Sequence, residues 1–545
     1  MIRKRARLLV SAAAVALVVS ACTAGAGLQP SSSTGDQSTQ SATGGSTTPS
    51  GGSGSTGTET SGTSGSSSSS GSQPAPSDGT LTLGLVLEPV SLDFTTQSGA
   101  AIPQVLLDNV YETLVNQAQD GTIVPGLAEK WTVSPDGLTY DFTLRSGVTF
   151  SDGEPFTADD AVFSINYVKT KWTVNVADAM KVVASATAVS PTELKVVLSH
   201  PDNLWLFKMT TRIGAMMSPK HVDKLATEAI GTGPYVFSNW IHGDSITLTR
   251  NPHYWGSTAL EKTIVFKYFS DPTAMNNALL TDQIQVITTV QTPPALKQFD
   301  DKSKYTIIDG TTNGKVMMTM NDARPPLNDV RVRQAINYAL DKPAILKAAW
   351  AGYGTVIGSH EVPTDPWYVD LANRYPHDVA KAKQLLAEAG QTHLTLTLAL
   401  PPVPYAAAAA PIIVSQLADA GITVKTTNVT FDNWLAKIFA KPYDYDLTII
   451  NHVEQYDVTT VFDGTPDYYT QYTNPKVAEL EKQGLEGDHA TFIADFQQVM
   501  RILADDAAAA WLWAFPNLMV ADANVRGLPQ NAIGESLNVF GLYTS

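Results

Sequence analysis

The chain has 545 residues, 52 acidic against 36 basic side chains, a formal net charge of −16 and a single cysteine. An acidic surface argues against nucleic acid and other polyanionic partners, and one cysteine excludes a disulfide within the chain. Stability must then come from a hydrophobic core, which a chain of this length with 43% apolar residues can build.

Arg3, Lys4, Arg5 and Arg7 form a basic start, Leu8 to Val19 an apolar run, and Val19-Ser20-Ala21-Cys22 a small-residue cleavage site. This is the layout of a secretory signal, too short for a comfortable membrane span and followed by polar chain. Val-Ser-Ala-Cys resembles a bacterial lipobox. Residues 1–22 are therefore expected to be a lipoprotein signal peptide, with Cys22 lipidated and anchoring the chain to the outer face of the cell membrane.

Residues 23–78 are almost entirely Ser, Gly, Thr, Gln, Pro and Ala, with Leu28 the one bulky apolar side chain. Such a segment buries too little surface to offset chain entropy. It reads as a disordered tether with a mean reach on the order of 40 Å.

From residue 79 the patterning is globular. Leu81-Thr82-Leu83-Gly84-Leu85-Val86 alternates as a strand and ends in a turn at Pro89. Val105, Leu106, Val110, Tyr111 and Leu114 fall at helical spacing and predict a helix over 104–114. Trp131–Val133 and Leu138–Leu144 flank Ser134-Pro135-Asp136-Gly137, which predicts a hairpin. Ser151-Asp152-Gly153 makes another turn, and Thr157 with Asp159 and Asp160 opens a helix running through Val168. Asn328 and Asp329 cap a helix with Val332, Ala335, Ile336, Ala339 and Leu340 on one face; Arg331 and Arg333 read as solvated ion-pair formers. Gly390 closes a later helix, Tyr443–Ile450 is a strand, and Trp511-Leu512-Trp513-Ala514-Phe515 reads as a buried strand.

Catalytic signatures are missing from residues 79–545. There is no G-x-S-x-G elbow, S-x-x-K or H-E-x-x-H, the nearest being Ser359-His360-Glu361 without a second histidine. No phosphate-binding G-x-x-x-x-G-K-[ST] occurs, so an ATPase would be a separate chain. The nine histidines lack ligand spacing, and neither a cofactor nor a resident metal is expected. The chain reads as a non-enzyme.

The order of motifs resembles the substrate-binding proteins of family 5, which serve oligopeptide, dipeptide and nickel ABC importers. The resemblance is carried by Tyr111-Glu112-Thr113-Leu114, the run PGLAEKW from Pro125, Tyr140–Arg145 and SDGEPFTADDAVFS from Ser151. Further on it rests on Gly231–Tyr235, Arg250–Trp255, MTMNDARPPLNDVRVRQAINYALDK from Met318, and AKAKQLLAEAG from Ala380. It implies an α/β fold of two lobes of the periplasmic-binding-protein kind, type II with an extra subdomain, hinged between the lobes. By analogy, residues 79–115, 219–315 and 505–545 form the main part of lobe I, 116–218 its inserted subdomain and 316–504 lobe II. The function implied is capture of oligopeptides in an interlobe cleft by a monomer, for delivery to a membrane permease with separate ATPase subunits. An oligosaccharide or metal chelate is the alternative cargo. A secreted lipoprotein hydrolase or a ligand-sensing receptor is the alternative of another class.

Peptide-binding relatives carry a Gly-Trp and an Asp-Pro element after a buried strand, where an aspartate catches the α-amino group. Here Asn451-His452-Val453-Glu454-Gln455-Tyr456-Asp457 follows, without that Trp or Asp-Pro. Glu454 or Asp457 can supply the charge, and Asn451 and His452 sit at the strand end, where α/β ligands bind. Ser91 and Leu92 after the first strand, Tyr353 in its glycine loop, and Trp511 and Trp513 complete the candidate ligand contacts, the tryptophans either stacking on ligand or belonging to the core.

Overall fold

The computed structural model describes residues 75–97 and 99–545; Cys22 and most of the expected tether lie outside the described residues. Ten strands form the central sheet: β1 (Thr80–Leu85), β2 (Tyr235–Ile241), β3 (Ser245–Arg250), β4 (Thr263–Tyr268), β5 (Val286–Ile287), β6 (Tyr305–Met320), β7 (Leu394–Leu400), β8 (Ile422–Asn428), β9 (Leu447–His452) and β10 (Ala509–Asp522). Their order is β8-β7-β9-β6-β10-β5-β1-β4-β3-β2.

Two strands are much longer than the rest, and they make the fold two-lobed. β6 and β10 pair antiparallel from Tyr305↔Asp522 to Thr319↔Ala509. At one end β10 continues into the first lobe, pairing Val286↔Ala521 with β5, which runs parallel to β1. At the other end β6 carries the second lobe, pairing Lys315–Met320 with β9, which lies parallel to β7. Between Thr311 and Lys315 the β6–β10 register slips. Thr312, Asn313 and Gly314 there bulge opposite Phe515, whose carbonyl accepts from Thr312 Oγ1 at 2.8 Å.

A second sheet of four strands, in the order Ala128–Val133, Thr139–Leu144, Glu193–Leu198, Val183–Ser190, belongs to the first lobe. Helix Ala158–Lys171 covers it, with the Asp160 carboxylate accepting from Thr157 N at 2.8 Å. Gly137 takes the left-handed φ of +69° that the expected hairpin turn needs. One hydrophobic core joins β1, β3 and β4 to this four-stranded sheet and to Val539 and Leu542 near the C-terminus. A separate core joins β6, β7 and β9 to helices Val330–Ala339 and Pro404–Asp419. No helix among the described residues is long and apolar enough to cross a membrane.

Two expectations need correction. The helix over 104–114 is shorter, Ala101–Leu106, because Asp108 turns the backbone left-handed at φ +61°. The apolar residues beyond it are buried by tertiary packing rather than by a helical face. Arg333 is not solvated: it is 7% exposed and donates to the carbonyls of Leu327 and Asp506 at 2.9 and 2.7 Å. Arg331 does sit in solvent, paired with Asp329 at 2.6 Å.

Candidate functional site

The expected site residues separate by sheet face. Register sets Lys315 opposite His452 and Met317 opposite Trp511, while the intervening Val316 faces Asn451 and Trp513. Cross-strand neighbours share a face and successive residues alternate. His452 and Trp511 therefore lie on one side, Asn451 and Trp513 on the other, where Trp513 is fully buried in the second-lobe core.

On the first face a buried polar cluster assembles around Asp457. Lys315 Nζ lies 2.7 Å from Asp457 Oδ1, and Nζ also donates to the Glu454 carbonyl at 2.7 Å. His360 Nε2 is 2.8 Å from the same carboxylate and His452 Nδ1 3.5 Å from its other oxygen. Trp511 Nε1 donates to His360 Nδ1 at 3.3 Å. That contact fixes the tautomer, with His360 accepting through Nδ1 and donating its Nε2 proton to Asp457. His452 Nε2 meets the Tyr469 hydroxyl at 2.7 Å, which in turn meets Thr319 Oγ1 at 3.0 Å.

Electrostatics inside the cluster follow from burial. Desolvation pushes His360 down to about 4, against the pull of Asp457, so its ring is neutral at physiological pH. Burial alone would raise the Asp457 carboxyl; the Lys315 ammonium, with the two histidines, outweighs it and holds the group well below the usual carboxylate range. Asp365 shows the opposite result: desolvation pushes it up to about 7. Among the described residues no group of three His, Cys, Asp or Glu is arranged to hold a metal ion. Lys315 occupies the cation position beside Asp457.

Thus His452, Asp457 and Trp511 come together, with Glu454 contributing its backbone carbonyl while its side chain is exposed. The remaining candidates lie elsewhere. Asn451 takes a hydrogen bond pattern of its own, its N–H donating to Tyr405 OH at 3.0 Å. Tyr353 packs between the second-lobe core and the apolar cluster under β5. Leu92 is buried in the first-lobe core, and Ser91 Oγ accepts from Asp93 N at 3.1 Å. Lys315 and His360 were missed. Lys315 sits in an unremarkable run, and its only signal is a lone charge among the apolar residues of Val316–Met320.

The cluster lies beside a seam where the lobes touch. Asn203, between the four-stranded sheet and helix Trp205–Lys208, donates from Nδ2 to the carbonyls of Gly484 and Gly487, both at 2.8 Å. Phe207 packs on Tyr456 with ring centroids 4.3 Å apart. A cavity of about 490 Å³ opens between the lobes, with Asp120 and Asn531 on the first-lobe side, Gly354 and Thr364 on the second and Asp309 and Thr311 from β6; no side chain of the Asp457 cluster lines it. Its volume is in the range of small-molecule sites.

A family model described as bacterial extracellular solute-binding proteins, family 5 Middle, matches residues 122–476. Heme-binding protein A of Haemophilus influenzae is 32% identical over 356 residues, covering 59% of this chain and 65% of that protein. Glutathione-binding protein GsiB of Escherichia coli is 29% identical over 325 residues, covering 56% and 61%. The match thus spans less than two thirds of the length of these curated relatives. Among solved structures, the periplasmic binding protein DppA of Helicobacter pylori, in complex with the peptide STSA, aligns at TM-score 0.71 and 21% identity over 86% of this chain and 98% of that one. HbpA2 of Haemophilus parasuis aligns at 0.76 and 23% over 86% and 100%. Both carry the same fold.

Proposed function

Because the chain belongs to the bacterial extracellular solute-binding proteins of family 5, we propose that it captures oligopeptides between its lobes and delivers them to the permease of an ABC importer. The observation that carries this reading is the interlobe seam, where a cavity is walled by both lobes and by β6. A ligand held there gains contacts that exist only when the lobes meet, so it stabilises the closed arrangement. No covalent chemistry is required.

The peptide class is supported by the cavity lining, where the carboxylates of Asp120 and Asp309 stand among Thr311, Thr355, Thr364, Gln530 and Asn531 with no basic side chain. A site of that kind suits a chain of neutral amides that carries a cationic α-amino group. A haem-like chelate, suggested by the name of one relative, is less well served. Both imidazoles in the cluster are already engaged, His360 by Asp457 and Trp511, His452 by Tyr469. We further propose that Cys22 is the lipid attachment point and residues 23–78 the tether, so that the binder stays near its permease.

Native mass spectrometry of the protein purified from its own cell tests the cargo. A co-purified mass matching short peptides supports the reading; an oligosaccharide or metal-chelate mass refutes it.

A further inference from the structure

Helix Pro475–Glu486 ends without a cap of its own. The last four carbonyls of a helix have no partner inside it, and a left-handed residue beyond the end commonly turns the chain back to serve them. Gly487 stands there extended, at φ −84°, and among the described residues no backbone N–H further along the chain returns to the Gly484 or Leu485 carbonyl. Both carbonyls are taken instead by the other lobe. Asn203 N donates to the Leu485 carbonyl at 3.0 Å, and Asn203 Nδ2 to those of Gly484 and Gly487, each at 2.8 Å.

The turn that carries Asn203 is built to reach across. Asp202 fixes it, its Oδ1 accepting from Leu204 N at 2.9 Å and its Oδ2 lying 3.3 Å from Lys208 Nζ. The short helix that follows, Trp205–Lys208, divides its neighbourhood between the lobes. Trp205 is fully buried in the first-lobe core, its ring centroid 4.7 Å from that of Tyr140. Leu204 and Phe207 belong to the second-lobe cluster of Trp367, Tyr456, Phe492 and Phe496, where they are 4% and 8% exposed. None of these residues lines the cavity.

We infer that the turn Asp202–Lys208 is a latch that holds the lobes closed without help from a bound ligand. Opening uncaps helix Pro475–Glu486 and brings Leu204 and Phe207 into water, whatever the cavity contains. By raising the fraction of binding-competent protein, the latch strengthens binding of every cargo by the same factor and adds no selectivity. It goes beyond the peptide reading above: the cavity chooses the cargo, and a turn outside the cavity sets how tightly it is kept.

The test uses the full-length chain, unlipidated and stripped of cargo by unfolding and refolding. The native protein is compared with Asn203→Ala, Asn203→Asp and a control, Asn166→Ala, at an exposed position of helix Ala158–Lys171. Small-angle X-ray scattering reads opening as a larger radius of gyration, and far-UV circular dichroism checks folding. The expected order is native and Asn166→Ala smallest, then Asn203→Ala, then Asn203→Asp, because aspartate cannot donate and sets its charge against the negative end of the helix. An equimolar library of tetrapeptides should bind Asn203→Ala about tenfold more weakly than the native protein, in keeping with two lost hydrogen bonds. Equal radii for the native protein and Asn203→Asp, with circular dichroism unchanged, overturn the latch, and so does native affinity for the library in Asn203→Ala. If no tetrapeptide binds the native protein while the radii differ as expected, the peptide reading falls and the latch stands.

Discussion

Lys315 Nζ and Asp457 Oδ1 stand 2.7 Å apart with side chains only 2% and 6% exposed, so each buried charge is held by the other. The two meet because β6 register places Lys315 against the end of β9, and the chain leaving β9 returns at Asp457 to begin helix Val458–Val461. Removing one partner strands the other. Lys315→Met should therefore cost about 3–5 kcal/mol in urea unfolding, the range for breaking a buried pair. A cost under about 1 kcal/mol would mean that Asp457 reaches solvent or protonates without penalty.

His360 gives the cluster a pH dependence. Its folded value of about 4 lies below the ordinary 6.5, so between those limits the unfolded chain binds more protons than the native one. Its contribution to stability is then complete above about pH 6.5 and is lost as pH falls toward 4. Asp365, pushed up to about 7, acts in the opposite sense, so the useful quantity is a difference. Relative to His360→Gln, the native protein should lose about 3 kcal/mol between pH 6.5 and 4. Parallel profiles would contradict a neutral buried ring.

Gly121 and Gly153 share a φ of +90° but not their surroundings. A Cβ on Gly153 meets nothing within 4 Å, whereas one on Gly121 meets the Thr364 carbonyl of the second lobe at 2.5 Å. Both alanine variants carry the strain of a left-handed non-glycine residue, about 1–2 kcal/mol. Only Gly121→Ala should also weaken binding of an equimolar library of tetrapeptides, by about tenfold, since it wedges the lobes apart. Equal affinities for the two variants would show that the lobes need not meet at Gly121.

Arg212 and Glu535 form a forked pair with 3.0 and 2.7 Å contacts from Nε and Nη2, while Arg212 Nη1 donates to the Gly99 carbonyl at 2.7 Å. Lysine cannot reproduce that fork. Arg212→Lys should lower stability by about 1–3 kcal/mol in thermal or urea unfolding, and an unchanged melting temperature would reduce the pair to a surface contact.

Cys22→Ser should move the protein from the membrane fraction to the soluble fraction of its own cells and abolish lipid labelling. Retention at the membrane with label intact would exclude Cys22 as the anchor.

What could be read from the sequence follows how local each signal is. The hairpin at Ser134–Gly137, the cap at Asp329 and the stop at Gly390 depend on a few adjacent residues, and the structure has them: Asp329 accepts from Arg331 N at 2.9 Å, and Gly390 takes φ +72°. The helix over 104–114 failed because apolar spacing reports burial, whatever buries it; Asp108 and the Asn109 side chain, bonded to the Leu537 carbonyl at 2.9 Å, impose a turn instead. Asp457 and His452 were legible as charges near a strand end. Lys315 and His360 were not, since their roles arise only when β6 and the segment at Ser359 are packed beside β9.

The slip at Thr312–Gly314 has a mechanical consequence. A continuous ten-stranded sheet resists bending wherever its ladder is intact, yet here three residues of one long strand face a single residue of the other. The sheet is creased before any motion begins. Between Thr311 and Lys315 no β6–β10 ladder pair stands against bending, and away from that line the lobes are held by Asn203 on the Gly484 and Gly487 carbonyls and by the apolar cluster that joins Leu204 and Phe207 to Tyr456 and Trp367. A binder built this way stays one continuous piece of backbone and still yields at a single line.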